Sequence, residues 1–381
     1  MSGDPEATTL PTGATSGTEP AADGPEPMSP SEPSSSRSRG TALRYTPRIV
    51  LTAVLGRRPP QRYLPVLATV AVFVGMFAAG SFAFPAFASG QVFLNLFVDN
   101  AFLLVVAIGM TFVILTGGID LSVGSVVALS TMISAALLEK HGWPASAVIV
   151  LVLIAGSALG MAMGCVIHFF QIQPFVVTLA GLFLARGLCY VISTDSIAIT
   201  DKFYVTMAQS KVPLPGGLHA SWSVVIAFVA VAVALYVLHY TRFGRSVYAV
   251  GGSEQSALLM GLAVGRTKIA VYTISGFCSA LGGILFAFYL LSGYSLSAVG
   301  LELDAIASVV IGGTLLTGGY GYLAGSVVGV LVLGLIQTLI SFQGSLSSWW
   351  TRIVIGALLL VFILLQRWIT TRRIRRSSGR A

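Results

Sequence analysis

The clearest candidate for chemistry in the sequence is a lone carboxylate set among glycines, Gly117-Gly118-Ile119-Asp120-Leu121-Ser122-Val123-Gly124. Two glycines interrupt an apolar run, and Asp120 stands where the next run begins. A carboxylate there can accept hydrogen bonds from the free amides of a new helix and meets the positive end of its dipole. It can equally fix a loop that moves as the protein works, because a charge held near a bilayer is costly. Nothing else in the chain forms a catalytic constellation. His141, His168, His219 and His239 are scattered, and no H-E-x-x-H occurs. Cys165, Cys189 and Cys278 lie far apart in or beside apolar segments without C-x-x-C spacing, which reads as packing rather than metal or disulfide chemistry. No G-x-x-x-x-G-K-[ST] is present; Gly261 to Lys268 has glycines and a lysine in the wrong order. The expectation is no catalytic residue, no metal and no cofactor on this chain.

A second element is a polar stretch between apolar runs, Tyr240 to Leu262. Ser253 can cap a short helix over Ser253–Met260, with Gly261 as its stop. Ala257, Leu258 and Met260 are apolar yet lie outside any span, which suggests a docking surface or a helix resting on the lipid interface.

Other ionisable residues fall in or beside apolar runs. Arg186 lies inside one and needs a partner, for which Asp99 and Asp120 are both candidates. Glu302 and Asp304 open a short Gly-rich run and could line an entrance, meet a soluble partner or form a structural ion pair. Trp143, Trp222, Trp349, Trp350 and Trp368 sit at the ends of apolar runs, as an interfacial belt predicts; Trp349 and Trp350 could also flank a path.

These residues need a scaffold, and composition names its class. The chain is 55% hydrophobic and 9% charged; a soluble domain carries about 25% charged residues. The expected fold is an all-α, polytopic transmembrane bundle. A span takes about 20 mostly apolar residues, and ten candidates run roughly over 63–84, 93–115, 121–138, 145–169, 174–192, 222–239, 268–290, 304–317, 322–341 and 351–367. The eighth is short enough to be a broken or re-entrant segment.

The net charge of +8 is not a nucleic-acid footprint, because of where it sits. Of the 22 Lys and Arg residues, seven fall in the N-terminal flank, four between Arg242 and Lys268, and six in the C-terminal tail. With ten spans these share one side, so both termini are expected in the cytoplasm. Residues 1–62 read as a disordered Pro/Ser-rich tail whose basic end can rest on anionic lipid. No basic region opens the chain and its first apolar run comes far too late for a signal peptide. Residues 63–367 form the membrane domain and 368–381 a basic tail.

The sequence also repeats. Thr116-Gly117-Gly118…Gly124-Ser125-Val126-Val127 aligns without gaps to Thr317-Gly318-Gly319…Gly325-Ser326-Val327-Val328, with seven of twelve positions identical. Transporters often duplicate a half, with interrupted helices at matching positions near the pathway.

T-R-F-G-R-x-x-Y-A-V-G-G from Thr241, followed by a small-residue helix ending Met260-Gly261-Leu262, resembles the coupling loop of bacterial sugar importer permeases of the ATP-binding-cassette class, the ribose, galactose and xylose family. The Gly117–Gly124 motif is similar to that family's most recognisable one, and the likeness covers roughly residues 63–370. Glu302 to Thr314 is shared with much of that family. Taken with Thr194–Ile199 and Ser345–Thr351 it resembles, more closely, permeases of galactofuranose import, which work in sister pairs. The long N-terminal tail departs from that pattern.

The resemblance implies an ATPase-coupling role for Arg242, Gly244, Arg245, Gly251, Gly252, Ser253, Glu254, Ala257 and Gly261. Glu254 and Arg245 would make polar contacts there or stand as solvated surface charges. It implies a pathway or gating role for Gly117, Gly118, Asp120, Ser122 and Gly124, and an entrance role for Glu302, Asp304, Trp349 and Trp350. It implies four associations: a separate ATPase that holds ATP and Mg, a second permease, a periplasmic or lipid-anchored sugar-binding protein, and membrane lipid. The setting would be the bacterial inner membrane. An ion-coupled transporter would want carboxylates deep in several spans, and a membrane enzyme would want a His, Asp or Cys cluster at one depth; neither pattern is evident.

Overall fold

The computed structural model describes residues 64–344 and 349–378. The tail expected over 1–62, residues 345–348 of the serine–tryptophan motif, and the side chains of the C-terminal basic tail lie outside the described residues.

Each of the ten apolar segments is helical. In chain order the helices are α1 (Leu64–Ala83), α2 (Gly90–Asp99), α3 (Ala101–Leu115), α4 (Val123–Ala135), α5 (Ala145–Phe169), α6 (Pro174–Ile192), α7 (Lys202–Gln209), α8 (Trp222–Tyr240), α9 (Arg242–Gly252), α10 (Glu254–Leu259), α11 (Val264–Leu290), α12 (Leu301–Ile311), α13 (Leu323–Gln343) and α14 (Trp349–Ser378). Among the described residues seven helical segments are long and apolar enough to cross a membrane, and α2 with α3 makes an eighth, bent by 56°. The two that fall short are α12, only 11 residues long, and the apolar run Trp349–Leu364 of α14. Two short antiparallel pairs, Ile197–Ala198 with Ser292–Gly293 and Lys211–Leu214 with Leu218–Ser221, link loops on one side.

Helix α3 is apolar all round and buries every residue except Phe102. A helix with no polar face belongs at the centre of a bundle, and α3 is packed by α11, α8, α12 and α13. The outer helices α5, α6, α8 and α14 turn residues such as Ile154, Phe183, Val233 and Leu364 outward, the pattern of a lipid-facing shell.

The most extensive helix pair is α5 with α11, and glycine makes it. Gly156, Gly160 and Gly164 lie directly on the backbone and small side chains of Ile269, Tyr272, Gly276 and Ala280. Small residues four apart let membrane helices approach closely, where lipid gives no hydrophobic drive. Gly160→Leu is expected to destabilise the bundle by about 1–3 kcal/mol, read as a lower melting temperature in detergent. Gly75→Leu on α1, where a side chain meets open space, should leave it unchanged; equal melting of the two variants would refute the glycine seam.

Candidate functional site

Two broken helices meet one surface of the bundle. Helix α3 stops where Gly117 takes φ 81°, its neighbour Gly118 N–H donating back to the Val113 carbonyl at 3.1 Å. Helix α12 stops the same way: Gly313 has φ 93° and Thr314 N–H donates to the Val309 carbonyl at 3.2 Å. This is the glycine helix stop, in which a left-handed residue lets the chain satisfy the last carbonyls. The gap-free alignment of the repeat is therefore corrected: the counterpart of Gly117 is Gly313, not Gly318. Five residues separate Gly117 from the start of α4 and nine separate Gly313 from the start of α13. The extra length brings Thr317-Gly318-Gly319 down onto the first copy. Gly319 N–H donates to the Leu115 carbonyl at 2.9 Å, and Gly318 lies on the Gly117 backbone.

After its stop the first copy climbs back into the bundle. Asp120 is fully buried. Its Oδ1 accepts from Ser122 N–H at 2.9 Å and Ser122 Oγ at 2.6 Å, and its Oδ2 accepts from Ser275 Oγ of α11 at 2.7 Å. Asp120 thus takes up a free amide at the start of α4, as its position suggested: Ser122 is already helical in backbone and has no side-chain cap bond of its own. Asp120 also braces its own loop and pins it to α11. Among the described residues no cation pairs with it. Thr178 of α6 holds the same loop through the Ile119 carbonyl at 3.1 Å. The Tyr272 hydroxyl lies against Gly118 and finds no hydrogen-bond partner among the described residues. Ser275 also abuts Gly109 of α3. Gly109 lies six residues above the end of α3, so α4 starts about 9 Å inside the bundle.

Helix α9 presses on these turns from outside, with α10 packed beside it. Thr241 Oγ1 caps α9 at Gly244 N–H, 3.2 Å. Helix α9 buries Gly244, Val247 and Val250. Gly251 lies against the Leu115 carbonyl and the Gly319 amide, so one glycine of α9 touches both copies of the repeat. Tyr248 donates its hydroxyl to the Gly321 carbonyl at 2.9 Å. Burial, with Tyr322 beside it, pushes that phenol up to about 12, so it keeps its proton as a donor. Ser253 caps α10 as expected, its Oγ accepting from Ser256 N–H at 3.2 Å, and Gly261 closes it with φ 76°.

One expectation here is corrected. Ala257 is buried against Val250 and Val264 rather than exposed, because the smallest apolar residue of α10 faces its neighbours. The outward surface is Leu258, Leu259 and Met260, with Leu259 90% exposed. Glu254 pairs with Lys268 of α11 at 2.7 Å and keeps its carboxylate partly exposed. Arg242 and Arg245 are exposed, Arg245 beside Gly319–Tyr322.

The residues expected at an entrance separate. Asp304 pairs with Arg352 of α14 at 2.9 Å, and both line a cavity of about 510 Å³ with Gln337, Ser341 and Thr351. Trp349 and Trp350 stand exposed at the start of α14, next to that mouth. Glu302 turns the other way, onto Gly124 in the first turn of α4, where its Oε2 is buried without a hydrogen-bond partner. Arg186 pairs with neither Asp99 nor Asp120; it donates to the carbonyls of Ser295 and Ser297 at 2.5 and 2.8 Å. Among the described residues no group of His, Cys, Asp and Glu gathers as a metal site.

Sequence reasoning missed Tyr272 and Ser275, which complete the surroundings of Asp120, and Arg352. Hydroxyls at 272, 275 and 279 recur three and four apart inside an apolar run, a pattern that could have flagged the inner face of α11.

A membrane bundle broken at two glycine stops, with both breaks bearing on an amphipathic surface helix, has the build of a transport subunit. Residues 92–363 match the family described as the branched-chain amino acid transport system permease component, and the chain belongs to that family. It is 47% identical over 310 residues, 81% of this chain and 94% of the relative, to the inner membrane ABC transporter permease protein YjfF of Escherichia coli. It is 41% identical to the fructose import permease protein FruG of Bifidobacterium longum, covering 82% of this chain and 93% of the relative. It is 38% identical to the ribose import permease protein RbsC of Bacillus subtilis, covering 74% and 87%. No solved structure matches the chain.

Proposed function

We propose that this chain is a permease subunit of an ATP-driven sugar importer in the bacterial inner membrane, with both termini in the cytoplasm. It carries a monosaccharide handed over by a binding protein and works beside a second permease. The observation that carries the reading is the α9–α10 pair: its outer tip is bare apolar surface, Leu258-Leu259-Met260, while its inner side rests on both glycine turns. A partner ATPase that grips this tip would move both breaks at once, as rigid-body motion. ATP and Mg belong to that partner. Relatives named for fructose and ribose support a monosaccharide as the cargo. The sequence motifs favour galactofuranose, with ribose, galactose or xylose as the alternative.

Leu259→Asp is the direct test. The chain should fold with an unchanged melting temperature, yet copurify with at least about tenfold less ATPase, because a charge replaces apolar contact. Undiminished copurification would sink the docking surface. Competition of uptake by galactofuranose, fructose and ribose in vesicles holding the complex and its binding protein would then fix the sugar.

A further inference from the structure

The cavity of about 510 Å³ between α12, α13 and α14 shares no residue with the Asp120 loop or with either glycine stop. Its size is that of a small-molecule site, about 300–1,000 Å³. The helices set its place. Helix α13 begins at Leu323, just past the second turn, and runs for 21 residues, about 30 Å. Gln337, Ser341 and Gly344 line the cavity from its far end. Thr351 and Arg352 line it from the first turn of α14, and Asp304 from the first turn of α12. The cavity therefore stands most of a membrane helix away from the turns that α9 touches. If a motor grips the α9–α10 tip, this is the side on which cargo arrives.

The lining is polar and its charge cancels. Arg352 Nη1 donates to Asp304 Oδ1 at 2.9 Å, and the guanidinium also lies against Gly300. Asp304 is only 8% exposed, so the pair is held in the wall, with the second carboxylate oxygen left as an acceptor. Gln337 is exposed, and its carboxamide has no hydrogen-bond partner among the described residues. Ser341 donates its hydroxyl to the Gln337 carbonyl at 2.9 Å, and its oxygen can still accept. Two isoleucines supply the only apolar side chains of the lining among the described residues.

This chemistry selects the occupant. An acyl chain would leave the carboxamide and the ion pair unanswered. A phosphate or carboxylate would meet no surplus of positive charge, and a cation no surplus of carboxylate. An uncharged ligand with several hydroxyls, each able to donate and to accept, answers every group present.

We infer that this cavity is a low-affinity binding site for one uncharged monosaccharide, whose hydroxyls meet Gln337, Ser341, Thr351 and the Asp304–Arg352 pair. The inference rests on the permease reading above. Weak binding suits such a place, because a site on a transport path must release what it takes up. Helix α12 carries Asp304 in its first turn, and the Gly313 stop follows its last residue. One short helix thus joins the sugar site to a break that bears on α9.

Saturation-transfer NMR on the assembled complex in nanodiscs, with the binding protein left out, reads weak sugar binding directly. Ribose, fructose and methyl galactofuranoside are the probes, and ribose 5-phosphate is the charged control. At least one of the three uncharged sugars is expected to give a signal. Gln337→Leu, and separately Thr351→Val, should weaken that binding by about two- to tenfold, with the melting temperature unchanged. No signal from any of the three, in a preparation that imports sugar once the binding protein is added, would leave the cavity to water alone; that would overturn the site and spare the permease reading. Equal binding by both variants would do the same, since the sugar would then sit elsewhere. Tighter binding of ribose 5-phosphate than of ribose would make the cavity an anion site and overturn the inference too. A preparation that holds no ATPase and imports no sugar would overturn both readings.

Discussion

Gly251→Ala should cut ATP-driven uptake by about tenfold, while Gly252→Ala, one residue along, should leave it close to normal. A methyl group at 251 has nowhere to go: it meets the Leu115 carbonyl and the Gly319 amide, both backbone. At 252 it meets open space. Overpacking of this kind costs about 1–3 kcal/mol, and a factor of ten corresponds to about 1.4 kcal/mol. The cost falls on the joint between α9 and the two turns rather than on the core, so ATPase copurification should survive and melting should shift little. Uptake into proteoliposomes holding the full complex, compared with ATP hydrolysis in the same vesicles, separates a broken joint from a broken fold. Equal uptake by the two variants would show that α9 does not act through these turns.

Asp120→Ala should be more damaging than any exposed change. It strips a fully buried carboxylate that accepts three hydrogen bonds and leaves the Ser275 and Ser122 hydroxyls unpaired in a dry interior. A hydrogen bond contributes about 0.5–1.5 kcal/mol net, and each donor left stranded in the interior costs about 1–3 kcal/mol. The expected loss is on the order of 3 kcal/mol, with uptake falling below a tenth of the unmodified level. Asp120→Asn keeps the shape and one accepting oxygen, and should recover part of both. Normal uptake by Asp120→Ala at normal protein levels would remove the loop from the working part of the molecule.

Helix positions were largely legible, because an apolar run in a membrane chain has few alternatives to helix. Ser253 and Gly261 bracketed α10 for the same local reason, since caps and left-handed stops are set by neighbours in sequence. What was not legible depended on distant backbone. Arg186 suggested a carboxylate partner because a sequence displays side chains, whereas the structure answers it with two carbonyls of a Ser-Leu-Ser stretch. The second copy of the repeat was aligned on its Thr-Gly-Gly, yet the helix stop comes five residues before Gly318, at Gly313, which takes the left-handed turn. Ala257 and Leu259 lie two positions apart on a six-residue helix. So short a helix shows no period from which to tell its inward face from its outward one.

The contact of Gly251 with Leu115 and Gly319 is made of main chain alone. Such a joint holds no rotamers that could absorb a push, and the one identity it demands is the absent side chain of Gly251. Whatever engages the tip at Leu258–Met260 is thereby uncoupled, in evolutionary terms, from what the push accomplishes inside. On the coupling proposed above, a change of motor would ask for new residues at the exposed tip and for none at this joint.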